Sequence, residues 1–599
     1  MAIVQLQKLT IYGASEQKQA LLDQLQQLGC VHLLPLRELP KSTRNGGSLE
    51  AIQAYRYLMR APLQRRPATD ASRFDRKELV KRLLSIKDRH ERLQEERDEI
   101  QHAIEMKAPW GEFRLPDQEE LAGYQLFFFQ VPLRDQDRMA TDDVVQIIKR
   151  DNRFAYVVVV AEQAPSRFVG NQVVLDSRPL SELHLRIDQI GEELEELHWQ
   201  RTTLTRWSKR LRDDLDAAAD QADKEDAAHG LWTDEHVFAL QGWVPKSAAR
   251  DIEELARRNN LAIVLSEPRR DETPPTLLKN PERIAGAENL VTFYITPGYQ
   301  SWDPTTIVFL SFSLFFAMII ADAGYGFVMA LLIVLGWRWL SQQKSGAPAR
   351  NLLIGIASVT IAYGVVVGSY FGTEPKPGTF LDSLRIRLDG KPMMEDQNAM
   401  MAIAVAIGVI HLSLANVITA FRSHGQLRSI GHLAWAMVMI GAFLIGLGSY
   451  SQTDALRASG VTMASLGGVL VLLFSSQRPW LTRDWKAYGM RLVDGLMQVA
   501  NLSKAFGDVL SYLRLFALGL ASAQLAITFN SMAAGVYERG GIGILFAIVI
   551  LLIGHGINFL LGLVGGVVHG LRLNCIEFFN WGLSQEGYAF QPFRKRAER

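Results

Sequence analysis

An arginine, Arg514, stands inside the apolar run SYLRLFALGLASAQLA, where a fixed charge needs a reason. Insertion scales put a central arginine in a membrane helix at about 2.5–3.5 kcal/mol, so residues of this kind carry function by default. A guanidinium stays charged at any accessible pH. It cannot relay a proton, but it can force a passing carboxylate to ionise, which is the chemistry of ion movement. At helical spacing Gly507, Ser511, Arg514 and Ala521 share one face, and the small residues among them let another helix approach closely. A second apolar run repeats the theme, with Asn558, Gly565, His569 and Arg572 on one side and Glu577 five residues beyond.

Two plainer readings compete. An arginine near a membrane interface snorkels towards water, and intramembrane polar residues also serve as interhelical glue. Snorkelling suits Arg514 poorly, because apolar residues continue for more than two turns beyond it; Arg572 lies nearer a helix end, where the plain reading has more force. No apolar span contains a well-centred Asp or Glu, so the carboxylate that Arg514 serves is expected on a partner.

The elements that would hold these residues are long apolar helices. A transmembrane helix needs about 20 mostly apolar residues. Candidate spans fall at 305–321, 324–340, 351–371, 399–421, 432–449, 460–475, 492–532 and 541–572, so an all-α membrane domain of about eight helices is expected over 299–599. The last two spans exceed one bilayer crossing and should tilt or bend. Lys and Arg gather in the segments that would be inner, among them Arg338, Arg350, Arg422, Arg428 and Arg491, so both termini are expected on the cytoplasmic side. MAIVQLQKLTIYG does not read as a cleaved signal peptide, which agrees.

Residues 1–298 read as a charged, soluble arm. Alternating and buried-strand patterns with short helices suggest α/β lobes at about 1–75, 108–178 and 230–270. Between them, Leu79, Leu83, Ile86, His90, Leu93, Arg97, Ile100 and Ile104 follow a 4,3 rhythm, as do Leu183, Ile187, Ile190, Leu194, Leu197, Arg201, Leu204, Ser208 and Leu211. A 3.5-residue period flanked by charges predicts an antiparallel coiled coil of 76–106 with 180–228. The plainer alternative is two amphipathic helices on a globular core, which the polar residues at seam positions weaken.

Composition excludes much. The net charge of +1 averages two unlike halves and gives no nucleic-acid reading. Cys30 and Cys575 are the only cysteines, so no disulfide framework or CxxC metal site is available. No phosphate loop, HExxH or nucleophile elbow occurs, so neither a cofactor nor an independent enzymatic activity is expected.

SYLRLFALGLASAQLA, with VHGLRLNCIEFF and the closing QPF, resembles the large membrane subunit of rotary V-type and A-type ATPases, called subunit a or subunit I. DPTTIVFLSFSLFFAMIIADAGYG, VVVGSYFG, GWVP and PPTLLKNP extend the likeness over nearly the whole chain. The resemblance implies a stator without catalytic residues. Arg514 would face a rotating proteolipid c-ring whose carboxylates carry the ion, and Arg572 and Glu577 match the second polar helix. His411 and Gln524 would line an access half-channel, and Asp508 would either join the cytoplasmic half-channel or pair with Lys504 one turn away. Peripheral stalks, the central stalk and the soluble ATPase sector are the implied partners, in the inner (cytoplasmic) membrane. Ser522 and Gly562 stand where animal and fungal members place a histidine and a glutamate, which favours a prokaryotic type. A secondary transporter needs broken helices around a midplane site, often in inverted repeats; ADAGYG has no counterpart and reads as a tight turn. A membrane-anchored sensor would explain the rod but not the two arginines.

Overall fold

A computed structural model describes residues 2–37, 49–68, 74–116, 120–138, 144–163, 165, 168–269, 271–341, 346–388, 390–392, 396–423, 427–476, 478, 485–583 and 585–596. It forms two compact units, Ile11–Gln241 with Pro592–Arg599, and Met1–Thr10 with Gly242–Gln591.

The first unit holds the end of β1 (Leu6–Ala14), then α1 (Lys18–Leu28), β2 (His32–Leu34), α2 (Leu49–Met59) and α3 (Arg76–Lys107). It continues with β3 (Gln125–Pro132), β4 (Val144–Arg150), β5 (Phe154–Ala161), β6 (Asn171–Val173), α4 (Leu180–Leu204), α5 (Ser208–Gly230), β7 (Trp232–Thr233) and the start of β8 (Val237–Pro245). In this unit β8 lies between β2 and β1. Leu21, Leu22 and Leu25 of α1 are buried, and Gly29 ends that helix in the left-handed region at φ 62°, where a residue without Cβ costs least. The middle lobe is an antiparallel sheet in the order β4-β5-β3-β6 rather than an α/β layer. Its two faces are both covered, one by Phe168 and Val169, the other by Trp110 and Met106 at the end of α3.

α3 begins at Asp75, whose carboxylate accepts from the Lys77 and Glu78 amides, satisfying two of the orphan donors of the first turn. α3 and α4 pack antiparallel through Leu93, Ile100, Ile104, Leu183, Ile190 and Leu194. Arg89 meets Glu193 at 2.6 Å and Arg186 meets Glu96 at 2.8 Å across the pair. Beyond Leu204 the arrangement departs from a two-stranded rod. A short 3-10 turn, Thr205–Trp207, separates α4 from α5, and α2 joins the packing through Ala51, Ala54 and Leu58 against Leu79, Leu83, Leu204 and Leu211. The polar seam residue Arg201 serves this third helix. It is buried, donates to the Tyr57 carbonyl in the last turn of α2 at 2.6 Å, and lies over the Tyr57 ring. A cation at orphan C-terminal carbonyls is a favourable cap. His90 meets His198 edge-on at 5.1 Å.

The second unit takes the start of β1, the end of β8, α6 (Ala249–Arg258) and β9 (Ala262–Ser266), which pairs with β1. Its helical part contains α7 (Thr305–Ile320), α8 (Ala323–Leu335), α9 (Gly346–Val367), α10 (Gln397–Arg422), α11 (Arg428–Tyr450) and α12 (Asp454–Phe474). Then follow α13 (Trp485–Ala500), α14 (Leu502–Leu510), α15 (Leu513–Tyr537) and α16 (Gly543–Arg572). Among the described residues six elements are long and apolar enough to cross a membrane: α9, α10, α11, α12, Gly489–Tyr537 and Gly543–Gly582; α7 and α8 are shorter apolar helices. α7 is the central element, buried on nearly every side, with Phe312 and Phe316 in one apolar cluster and Phe315 and Met318 in another. α16 turns a stripe inward at four-residue steps, Gly554, Asn558, Gly562, Gly566 and Gly570. A Cβ at Gly566 would stand 2.6 Å from the Phe316 ring and one at Gly554 would stand 2.3 Å from that of Phe529, so these glycines set how closely α7 and α15 approach.

Candidate ion-translocation site

The segment carrying Arg514 is not one continuous helix. Around residues 509–515 the ladder tightens to three-residue steps: the Tyr512 amide donates to Val509, Arg514 to Ser511 and Leu515 to Tyr512. The Ser511 hydroxyl also donates back to the Gly507 carbonyl at 3.0 Å, a bond that bends helices. Arg514 is therefore the second residue of α15, not the centre of a long helix, and the face expected to join Gly507 to Ala521 is broken between α14 and α15.

A second irregularity ends α16. Leu573–Phe578 form a π turn, in which the chain closes over five residues instead of four. That places Glu577 back over Arg572, with Nε and Oε1 3.7 Å apart and the carboxylate almost fully buried. Arg514 lies within electrostatic reach of both Arg572 and Glu577, and His569 within reach of both arginines. Ser511 faces Glu577. Ser511, Arg514, His569, Arg572 and Glu577 thus form one cluster. Glu577 is the carboxylate of this cluster: the π turn pairs it with Arg572, and it lies within electrostatic reach of Arg514. Buried Arg514 Nη1, His569 Nδ1 and Glu577 Oε2 have no hydrogen-bond partner among the described residues.

The remaining expected residues go elsewhere. His411 is buried, hydrogen-bonded through Nδ1 to the Tyr512 hydroxyl at 2.8 Å and stacked on Phe578 at 4.2 Å, so it abuts the cluster through aromatic rings. Asp508 accepts from Trp581 Nε1 at 2.8 Å and forms no ion pair with Lys504. Gln524 is exposed, on the same side of α15 as exposed Ala517, Ala521 and Thr528. Asn558 is buried away from solvent, donating to the Tyr325 hydroxyl at 3.0 Å and the Ser522 carbonyl at 2.8 Å.

Asn558 belongs to a polar network that residue spacing did not disclose. Tyr325 bonds His555 at 2.7 Å, His555 bonds Asn530 at 3.0 Å, and Asn530 donates to the Phe371 carbonyl at 2.8 Å. Asp322 anchors the same corner. Its carboxylate, 3 % exposed, caps α8 at Tyr325 and accepts from the Ser369 hydroxyl and the amides of Phe371 and Gly372. The tight turn read from ADAGYG is present, with Ala321 at φ 50°, but its aspartate ties α8 to the chain after α9. The available signal was the set Asp322, Tyr325, His555 and Asn558, four polar residues in otherwise apolar helices.

A sequence profile described as the V-type ATPase 116kDa subunit family matches residues 228–353. The V-type ATP synthase subunit I of Borreliella burgdorferi is 26 % identical over 99 % of this chain and 99 % of its own length. The A-type ATP synthase subunit I of Methanocaldococcus jannaschii is 27 % identical, covering 69 % of this chain and 64 % of its own. A crystal structure of the cytoplasmic N-terminal domain of subunit I, homolog of subunit a, of V-ATPase aligns with 43 % of this chain and 99 % of that one, at 20 % identity and a TM-score of 0.21. The chain is thus similar, over nearly its whole length, to proteins named V-type or A-type ATP synthase subunit I from bacteria and archaea.

Proposed function

We propose that this chain is the stator of a rotary V/A-type ATPase and forms the ion-translocating half-channels against a proteolipid c-ring, with Arg514 forcing each passing rotor carboxylate to ionise. The observation that carries the reading is the state of Arg514. Its buried Nη1 has no partner among the described residues, while the carboxylate nearby, Glu577, is ion-paired to Arg572. A guanidinium left with unused donors in a membrane segment is a site waiting for an acceptor. The exposed flank of α15 next to it carries Ala517 and Ala521, small enough for a rotor helix to come close.

In this reading the residues from about 299 onward cross the inner membrane eight times, with α7 and α8 as the two short spans. The N-terminal arm and the C-terminus lie in the cytoplasm. The arm, with its coiled coil of α3 and α4, anchors peripheral stalks and resists torque, and ATP is hydrolysed or made on the soluble sector, linked by the central stalk. Ser511, His569, Arg572 and Glu577 form the polar lining beside Arg514, and His411, Asp508, Gln524 and Asn558 contribute to the half-channel walls or their support.

The test is Arg514→Ala in the assembled complex reconstituted into vesicles. ATP-driven ion uptake should vanish while proteolipid and soluble subunits still co-purify with the chain. Uptake at the parent rate would sink the reading, and so would failure of the unaltered chain to co-purify with a proteolipid ring.

A further inference from the structure

The membrane unit holds a cavity that the ion site does not use. It measures about 790 Å³ and lies between α10, α11 and α14. Its walls are almost wholly apolar, with Val405, Val409, Val438, Met439 and Phe443 on two helices and Phe506 on the third. Along α10 it runs from Asn398, the second residue of the helix, to Val409. Along α11 it runs from Tyr450, the last residue, back to Val438. Eleven and twelve residue-to-residue rises of 1.5 Å make a trough about 16–18 Å deep. The hydrocarbon core of a bilayer is about 30 Å thick, so one leaflet spans about 15 Å.

We infer that this cavity seats one acyl chain of a bilayer phospholipid. The chain lies along α10 and α11, and the headgroup sits at the helix ends marked by Asn398 and Tyr450. Three observations carry this. The depth corresponds to one leaflet and not to the whole membrane. The polar lining at the α10 and α11 ends is an amide and a phenol, groups suited to an interface, while the rest of the lining offers a small ligand only the Ser503 hydroxyl of α14. The volume falls within the range of specific ligand sites, about 300–1,000 Å³, and is too large and too apolar to be filled by ordered water. A second consequence follows from α14. Leu510 and Leu513 line the cavity and bracket the turn that delivers Arg514 to α15. A lipid tail packed there supports α14 from behind and closes an apolar gap beside the arginine.

The test uses the full chain in nanodiscs of defined phosphatidylglycerol and phosphatidylethanolamine, released in native mass spectrometry at an activation that strips loosely held lipid. One phospholipid should stay with the parent chain. Ala442→Trp, which puts an indole into the cavity, should lose it at least tenfold more readily, whereas Leu466→Trp on the exposed side of α12 should retain it. Ala402→Leu, a smaller filling from the α10 wall, gives an intermediate loss and guards against a misfolded tryptophan variant. Equal retention in all four chains would overturn the inference, because the lipid would then be annular. So would retention in the isolated chain but not in the assembled complex, because a protein helix would then be the occupant.

Discussion

Arg572 Nε and Glu577 Oε1 stand 3.7 Å apart across a single π turn, although five residues on an α-helix would separate them by about 140°. The wider turn absorbs the fifth residue and brings the buried carboxylate back over Arg572. Deleting Ile576, whose side chain points outward, would put the glutamate four residues after Arg572, about 40° round an α-helix and so still beside it. The deletion should therefore keep ATP-driven ion uptake, whereas Glu577→Ala should lower it at least about tenfold, equivalent to about 1.4 kcal/mol in the barrier. A tenfold loss in the deletion variant as well would show that the π turn matters to transport beyond holding this pair.

The hydroxyl of Tyr325 joins Asn558 of α16 to His555 and thereby α8 to α16. Tyr325→Phe keeps the ring and removes the shared oxygen, leaving buried donors and acceptors short of a partner. Such a loss costs about 1–3 kcal/mol. Thermal unfolding of the purified chain should show it. Asp322→Asn should cost at least as much, because that carboxylate accepts four hydrogen bonds at the same corner. Unchanged melting in both variants would mean that the network is not part of the stability of the membrane unit.

Hydropathy alone located α9 to α12 within a few residues, because a run of apolar side chains in lipid has few alternatives to helix. The breaks were another matter. Nothing in SYLRLF marks Ser511–Tyr512 as the place where the ladder tightens, since the cause is a hydroxyl bonding backwards and a tyrosine drawn between α7 and α10. The π turn at Leu573–Phe578 is equally local and equally silent. In the arm the 4,3 rhythm runs along α3 and α4, which pack together, yet its polar interruption at Arg201 marks a third helix, which the rhythm of two segments cannot report. Asp322 was read as a turn residue because its partners lie 47 to 50 positions away. Local pattern carries the elements; the site depends on contacts between them.

Gly408 makes the seat for Tyr512, whose hydroxyl meets His411. A Cβ at Gly408 would lie 2.7 Å from the tyrosine ring. Gly408→Ala should push that ring out of its place between Phe315 and His411, at an overpacking cost of about 1–3 kcal/mol. Because Tyr512 leads directly into Arg514, uptake should fall with stability. The decisive comparison is Gly408→Ala against Gly468→Ala on α12, where a Cβ meets open space and neither quantity should change.

The arm offers a pH dependence of known sign. Glu193 of α4 accepts from Arg89 of α3 at 2.6 Å, and this hydrogen bond, with help from Arg186, holds its carboxyl below its ordinary value. A carboxyl depressed by folding contributes stability that is fully present above the unfolded value of 4.5 and is lost as the pH falls through the folded one. Both partners are substantially exposed, so the contribution is small, about 0.5 kcal/mol. Glu193→Gln should therefore weaken the α3–α4 pair slightly at pH 7 and hardly at all at pH 3, where the parent carboxyl is protonated in most unfolded chains. Urea unfolding of the chain, read by pulse labelling of the α3 and α4 amides at the two pH values, checks both halves of the statement. An equal loss at both would place the role of Glu193 in shape rather than charge, and Arg89→Gln, which removes the same bond from the other side, should then fail to reproduce it.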